Sequence, residues 1–538
     1  MTRAASRPTP PRTPDGPPHA GAPLDDDRDT TGAPRARASE SATSPPPEPS
    51  RADTGWGLPL AVIVVGMFMS VLNTTSVNVA LASMANDLGA STDDIEWVVT
   101  AYNLGLGVVV PLSAWLGERL GLKRLYLLAL VGFVAASALC GLAGNLTMMI
   151  VFRVLQAIPG GMIPVTCMTV LYRIVPPGKI GTAMGMYGLG MVVAPAIGPT
   201  LGGYLVEYVD WRLIFYVNVP VGLFGAVAAL VVLPRLAATS TRRLDLIGFL
   251  CIAGGLFAVL LAVSEGADWG WTGYRVLILL TAGALLLALF VVVELEVDQP
   301  LLNVRVFRSW RFTNSLVLIA LQSVGLFAVS FYVPIFLQQN QQLTAFHTGL
   351  VLLPQAAVMI VLMPIAGRVY DRFGARWVGV LGMGLAGVGI LLLCRINPDL
   401  PRSSLIAALM LRAVGPGLAM MPITTSGISA LPKQLAGAGS AYNQLVQRAS
   451  AALGLAVLTS LSTAQQAQLT NDREALLTPT NPAAAGLVHG GFADAYGMYI
   501  QLHDDVLSHA YSDVFLVGGI ASLAGMLLAF FLPARTRR

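Results

Sequence analysis

The chain has 538 residues, of which 55% are hydrophobic and 12% charged, with a mean hydropathy of +0.68 and a formal net charge of +4. A soluble domain carries about 25% charged residues, so a water-soluble core of this composition is excluded. A charge of +4 on 538 residues also excludes the dense basic surface that nucleic-acid binding needs.

Residues 1–53 are rich in Pro, Ser, Arg and Asp and poor in large apolar side chains. Such a segment cannot bury enough surface to offset its ordering entropy, so a disordered cytoplasmic tail is expected. It lacks an apolar stretch followed by a cleavage site, so the first apolar run reads as a retained helix and not a signal peptide. Apolar runs follow near 58–82, 96–117, 124–144, 147–171, 181–206, 213–233 and 245–263. Seven more follow near 275–295, 312–337, 347–367, 377–396, 403–424, 435–463 and 510–532. Each is long enough to cross the hydrocarbon layer as a helix. An all-α integral membrane fold of fourteen spans is expected.

Lys and Arg give the orientation. With the amino terminus inside, the inner connections after residue 53 hold eighteen of them and the outer ones five. That bias puts both termini in the cytoplasm of a cell in whose inner or plasma membrane the chain sits. The stretch 465–508 then becomes a long external loop. Cys140, Cys167, Cys251 and Cys394 lie in apolar runs without metal-ligand spacing and read as small buried side chains. No metal set, cofactor motif, phosphate loop or nucleophile–base pair is evident, so an enzyme or a direct user of ATP is not expected.

Within the first run, VLNTTSVNVAL at 71–81 carries Asn73, Thr74, Thr75, Ser76 and Asn78. On a helix, Asn73 and Ser76 share one face, with Thr74 and Asn78 along the next. One interhelical hydrogen bond contributes only about 1 kcal/mol, so a strip this wide is read as facing a transport cavity in preference to serving as polar glue. Tyr102, Asn103, Gln338, Asn443, Gln444 and Gln447 are candidate partners from other spans. Arg153, Arg412 and Arg448 lie inside spans 4, 12 and 13, where an Arg is costly and faces a cavity or a partner. Gln156 shares a helix face with Arg153.

Two inner loops repeat one pattern. PLSAWLGERLGLKR at 111–124 and MPIAGRVYDRFGAR at 363–376 align Glu118, Arg119, Gly121 and Lys123 with Asp371, Arg372, Gly374 and Arg376. Spans 1–6 and 9–14 are then two similar bundles, with spans 7 and 8 inserted. Domain boundaries follow at 54–234, 235–311 and 312–538. The acids suggest a breakable latch, in which a carboxylate meets an Arg or a helix amino terminus. In span 5, Gly185, Gly188, Gly190, Gly198, Gly202 and Gly203 remove side chains, and Pro195 and Pro199 each remove a backbone donor. A bent, closely packed helix is expected there.

These features resemble the major facilitator superfamily, and within it the fourteen-span drug:proton antiporters of the EmrB/QacA type. RVLQAIPGG at 153–161 is similar to that group's fourth-span motif, and GMVVAPAIGPTLGG at 190–203 to its fifth-span antiporter motif. WRLIFYVNVP at 211–220 and VNVAL at 77–81 resemble its sixth- and first-span signatures. The resemblance implies the major facilitator fold and proton-coupled efflux of hydrophobic small molecules or antibiotics by alternating access. It also implies that the span-5 helix carries sliding of the two bundles and that the inner loops close the cytoplasmic side. The group's first-span motif usually has an Asp where this chain has Asn73, and no Asp, Glu or His lies in mid-span. A neutral or anionic amphiphile is therefore the expected cargo, with protons as the coupling ion. A dedicated exporter of one endogenous metabolite, or a non-transporting receptor or scaffold, are the other readings.

Overall fold

The computed structural model describes residues 55–238, 244–297, 299–397, 400–474 and 492–534; the expected tail, 1–53, lies outside them. Fourteen helices are long and apolar enough to span a membrane. In the first half these are α1 (Gly57–Leu88), α2 (Thr92–Leu120), α3 (Leu122–Gly141), α4 (Leu146–Ile174), α5 (Ile180–Tyr208) and α6 (Leu213–Val232, interrupted at Val217). Two follow as a pair, α7 (Leu246–Ser264) and α8 (Tyr274–Glu296). The second half holds α9 (Trp310–Gln339), α10 (Ala345–Phe373), α11 (Arg376–Leu392), α12 (Arg402–Ile428), α13 (Ala436–Glu474) and α14 (Phe492–Ala529). No strand occurs among the described residues.

Local chemistry starts several of these helices. Ser91, Asn145, Asp245 and Thr344 each accept a backbone N–H from the first turn they precede, which satisfies a donor left over at a helix start. The interior prolines do not end α5, which runs unbroken through Pro195 and Pro199.

The same five helix pairings recur in both halves. α1 packs on α5 and α6, α2 on α4, and α3 on α4 and α6; the matching pairs are α9 on α13 and α14, α10 on α12, and α11 on α12 and α14. The repeated loops show why. Gly121 and Gly374 both have positive φ, 83° and 85°, where a side chain is strained. At Gly121 a Cβ would also lie 2.5 Å from the Leu236 carbonyl oxygen. The base after each glycine caps the last helix of its own half. Lys123 Nζ donates to the carbonyls of Leu230 and Leu233 at the end of α6 (2.8 and 2.6 Å). Arg376 Nε donates to Leu532 beyond α14 (2.8 Å). Cations there satisfy leftover carbonyls and oppose the helix dipole.

Between the halves, α5 meets α10 and α12, while α2 and α4 meet α13. The α7–α8 pair packs through α7 on α2 and α13. α8 exposes Leu277, Ile278, Leu285, Leu289 and Val292, as a lipid-facing helix does.

One expectation needs correction. The stretch 465–508 is not a loop at its ends, because α13 continues to Glu474 and α14 begins at Phe492; residues 475–491 lie outside the described ones. Polar sequence beyond the hydrocarbon layer can continue a helix, so falling hydropathy does not mark its end.

Candidate functional site

The polar strip of α1 does not face one cavity; its members go to three places. Asn73 is buried in a network among α1, α3, α4 and α6. Its Nδ2 donates to Gln156 Oε1 (3.5 Å) and its Oδ1 accepts from Asn218 Nδ2 (3.1 Å). Thr75 and Ser76 meet α5: the Ser76 hydroxyl donates to the Gly198 carbonyl (3.1 Å), and a Cβ at Gly202 would lie 3.0 Å from the Ser76 carbonyl oxygen. A Cβ at Gly198 would collide with the Thr75 hydroxyl. The small residues of α5 thus admit the polar groups of α1. Asn78 alone is exposed.

Arg153 is the largest fully buried side chain. Its Nη1 donates to Gln156 Oε1 (2.7 Å) and its Nε to the Val98 carbonyl (3.1 Å); Gln156 Nε2 donates to Ser137 Oγ (2.6 Å). The guanidinium lies 3.9 Å from the ring centroid of Tyr102 and 5.7 Å from that of Phe215. Amide, carbonyl and aromatic faces therefore hold this charge where a carboxylate would be expected. Gln156 is the hub, since one oxygen serves both Arg153 and Asn73. In the second half, buried Arg412 donates from Nη2 to the Leu326 carbonyl of α9 (3.1 Å).

Between the halves lies a small cleft, lined from α9 by Gln322 and Ser323, from α12 by Thr424 and from α13 by Asn443, Gln444 and Gln447. Met168, Met191, Met420 and Met421 form its apolar wall. Of the expected cavity residues only Asn443, Gln444 and Gln447 line it. Asn103 and Gln338 are exposed away from its lining, and Tyr102 and Gln156 belong to the Arg153 network. Sequence reasoning missed Gln322, although an amide in the middle of an apolar run was the available signal.

Two orphan donors, on Gln322 and Gln444, line this cleft, and two more lie on Arg448 and Tyr102 outside its lining. Nε2 of Gln322, Nε2 of Gln444, Nε of Arg448 and the Tyr102 hydroxyl are buried without a hydrogen-bond partner. Buried polar groups are normally paired, and these four are not.

On the side of the charged loops, one of the repeated acids crosses between halves. Asp371, near the end of α10, accepts from the backbone N–H of Gly181 and Thr182 (both 2.8 Å) and from the Thr182 hydroxyl (2.7 Å). These donors open α5, so the carboxylate caps that helix from the other half. Glycines permit the approach: a Cβ at Gly181 would lie 2.5 Å from the Gly367 carbonyl oxygen, and one at Gly185 would collide with that of Met363. Glu118 lies at the equivalent place, lining a small pocket with Gly437 near the start of α13. The partner of Asp371 is thus a helix terminus. Arg119 and Arg372 are exposed and stack on Trp115 and Phe373.

Two expected outcomes follow from this geometry. Gln156→Leu leaves a buried charge and an amide without their shared acceptor, at a cost of about 3 kcal/mol; Asn78→Leu should change stability by less than about 0.5 kcal/mol. Reversible unfolding in mixed detergent measures both. Asp371→Asn removes charge-assisted bonds worth about 1.5 kcal/mol, so the closed form should lose about tenfold in population. Solute transport in vesicles should fall accordingly while surface labelling shows unchanged insertion.

Comparison with known proteins agrees with this architecture. The Major Facilitator Superfamily profile matches residues 63–455. Among curated proteins, the chain is 32% identical to the uncharacterized MFS-type transporter YhcA of Bacillus subtilis, over 88% of this chain and 92% of that one. It is 31% identical to the tetracenomycin C resistance and export protein of Streptomyces glaucescens, over 85% and 87% respectively. Among solved structures, the proton:xylose symporter XylE superposes with a TM-score of 0.57 at 12% identity, covering 88% of this chain and 95% of that one. With two like-paired bundles, a cross-bundle helix cap and a central polar cleft, the chain belongs to the Major Facilitator Superfamily.

Proposed function

We propose that the protein exports hydrophobic small molecules rich in hydrogen-bond acceptors, neutral or anionic, by proton-driven alternating access. In this reading both termini are cytoplasmic, the membrane is the inner or plasma membrane, and Asp371 holds the cytoplasmic side closed. The observation that carries the cargo class is the set of orphan donors at and beside the cleft: Gln322, Gln444, Arg448 and Tyr102. Their unpaired N–H and O–H groups ask for acceptors. Arg153, Arg412 and Arg448 add positive charge that no ion pair balances among the described residues, and a fixed positive field disfavours cations. The methionine wall suits varied apolar shapes, because thioether chains adapt their packing. The export protein of Streptomyces glaucescens, related along most of its length, supports outward transport of an antibiotic-like compound. Binding of cargo in the cleft and opening of the α5–α10 contact are two ends of one conformational equilibrium.

Everted vesicles test this with a panel of neutral, anionic and cationic amphiphiles, with and without a proton uncoupler. Neutral and anionic acceptors should accumulate, and the uncoupler should abolish the accumulation. Gln322→Leu together with Gln444→Leu should reduce it about thirtyfold, as the loss of two hydrogen bonds of roughly 1 kcal/mol each gives. Preferred export of ethidium-like cations would contradict the cargo class.

A further inference from the structure

Among the described residues, Glu294 is the only carboxylate in the buried set, at 2% exposure. It sits in the last turn of α8, on the charged-loop side. Its Oε1 accepts from the backbone N–H of Leu301 and Leu302 (3.0 and 3.2 Å), while its Oε2 is buried and has no partner. Across from it stands Asp245, which opens α7. Oδ1 of Asp245 accepts from Gly248 N (2.9 Å), and its Oδ2 is likewise buried without a partner. Gly248 shows how near the two acids are. A Cβ there would collide with Oδ2 of Asp245 and lie 3.2 Å from Oε1 of Glu294. No cation pairs with either acid among the described residues.

Each acid approaches the Gly248 Cβ position and keeps one orphan oxygen, and a single proton held between the two acids supplies a donor. The geometry points to Asp245 and Glu294 sharing one proton, which makes the base of the inserted helix pair a proton-binding site wired to the cleft. The helices assign the proton. Asp245 lies at the amino end of α7, where an anion is stabilised, and Glu294 at the carboxyl end of α8, where an anion is disfavoured. Glu294 is therefore the acid, its Oε2–H donating to Asp245 Oδ2 while Oε1 keeps its two backbone donors. Loss of the proton to water leaves two neighbouring carboxylates that repel each other.

The connection to the cleft is short. Glu294 holds Leu301 and Leu302, and the Leu302 carbonyl accepts from the Tyr442 hydroxyl of α13 (3.2 Å). Tyr442 also meets Phe307 edge to face at 4.8 Å, and its chain neighbour Asn443 lines the cleft. The titratable side chains facing Glu294 are thus Asp245 from α7 and Tyr442 from α13; Arg305 and Arg308 of the intervening turn are exposed. Deprotonation pushes Glu294 away from the anchored Asp245, frees the 301–302 turn and loosens α13. This gives a chain with Asn73 in α1 a proton carrier elsewhere. The link to transport rests on the proposed export activity; the shared proton does not.

Infrared difference spectroscopy of the full chain in nanodiscs tests the shared proton without any cargo. At neutral pH the wild type should show a protonated-carboxyl band that Glu294→Gln removes. Gln preserves the acceptor for Leu301 and Leu302 and donates to Asp245, so this variant keeps the fold and mimics the protonated state. If the variant removes only an ionised-carboxylate signal, the shared proton is wrong. Export in proteoliposomes at a fixed gradient reads the coupling. The slope of log rate against pH, about one per unit where the pair titrates, should fall to about zero in Glu294→Gln. An intact band with an unchanged slope overturns the coupling to α13. A wild type that exports nothing while keeping the band refutes the export reading instead.

Discussion

The first turn of α5 is completed by a carboxylate belonging to the other half of the chain. A helix start has backbone donors without intrahelical partners, and near a membrane they must find acceptors in protein or water. Asp371 satisfies two of them and a hydroxyl at once. It can do so only because Gly181, Gly185 and Gly367 let the α5 and α10 backbones approach. This contact is strong enough to hold and has a ready substitute, since water can cap the same donors when the halves part. In the proposed cycle this contact is the one that opens and closes.

A second constraint acts inside the first half. An embedded guanidinium without an acid must be held by neutral groups, and Arg153 is held by an amide, a carbonyl and an aromatic face. Asn73 then serves as a spacer in the network and cannot titrate. The positive charge stays in place through the transport cycle, whereas a carboxylate there could be neutralised by a proton. In the proposed reading, cargo preference and proton chemistry are separated in space: orphan donors of Gln322 and Gln444 line the cleft, and the acids Asp245 and Glu294 stand at the base of the α7–α8 insertion.

Much of this was legible in the sequence because the signals are local. Run length located fourteen helices, and the repeated acid–Arg–x–Gly–x–base loops disclosed the two-fold arrangement. Positive φ at Gly121 and Gly374 accounts for the invariant element of that repeat. The roles of the bases were not legible. Lys123 and Arg376 cap helices that lie about a hundred residues or more downstream, a relation no periodicity encodes. The α1 strip was misread for a similar reason: a helical wheel tells which residues share a face but not what that face meets. Asn73, Ser76 and Asn78 proved to have three different neighbours. Gln322 carried the same signal as Gln444 and was overlooked, while the polar helical ends of α13 and α14 were mistaken for a loop.

The central claim is that the charged-loop ends of α5 and α10 separate and rejoin during transport. Spin labels on Lys179→Cys and Phe373→Cys, both exposed positions flanking the Asp371 contact, measure it directly by pulsed electron resonance in nanodiscs. Two distance populations whose ratio shifts when cargo or a pH change is applied are predicted. A single distance, the same with cargo, across pH and after Asp371→Asn, would contradict the account.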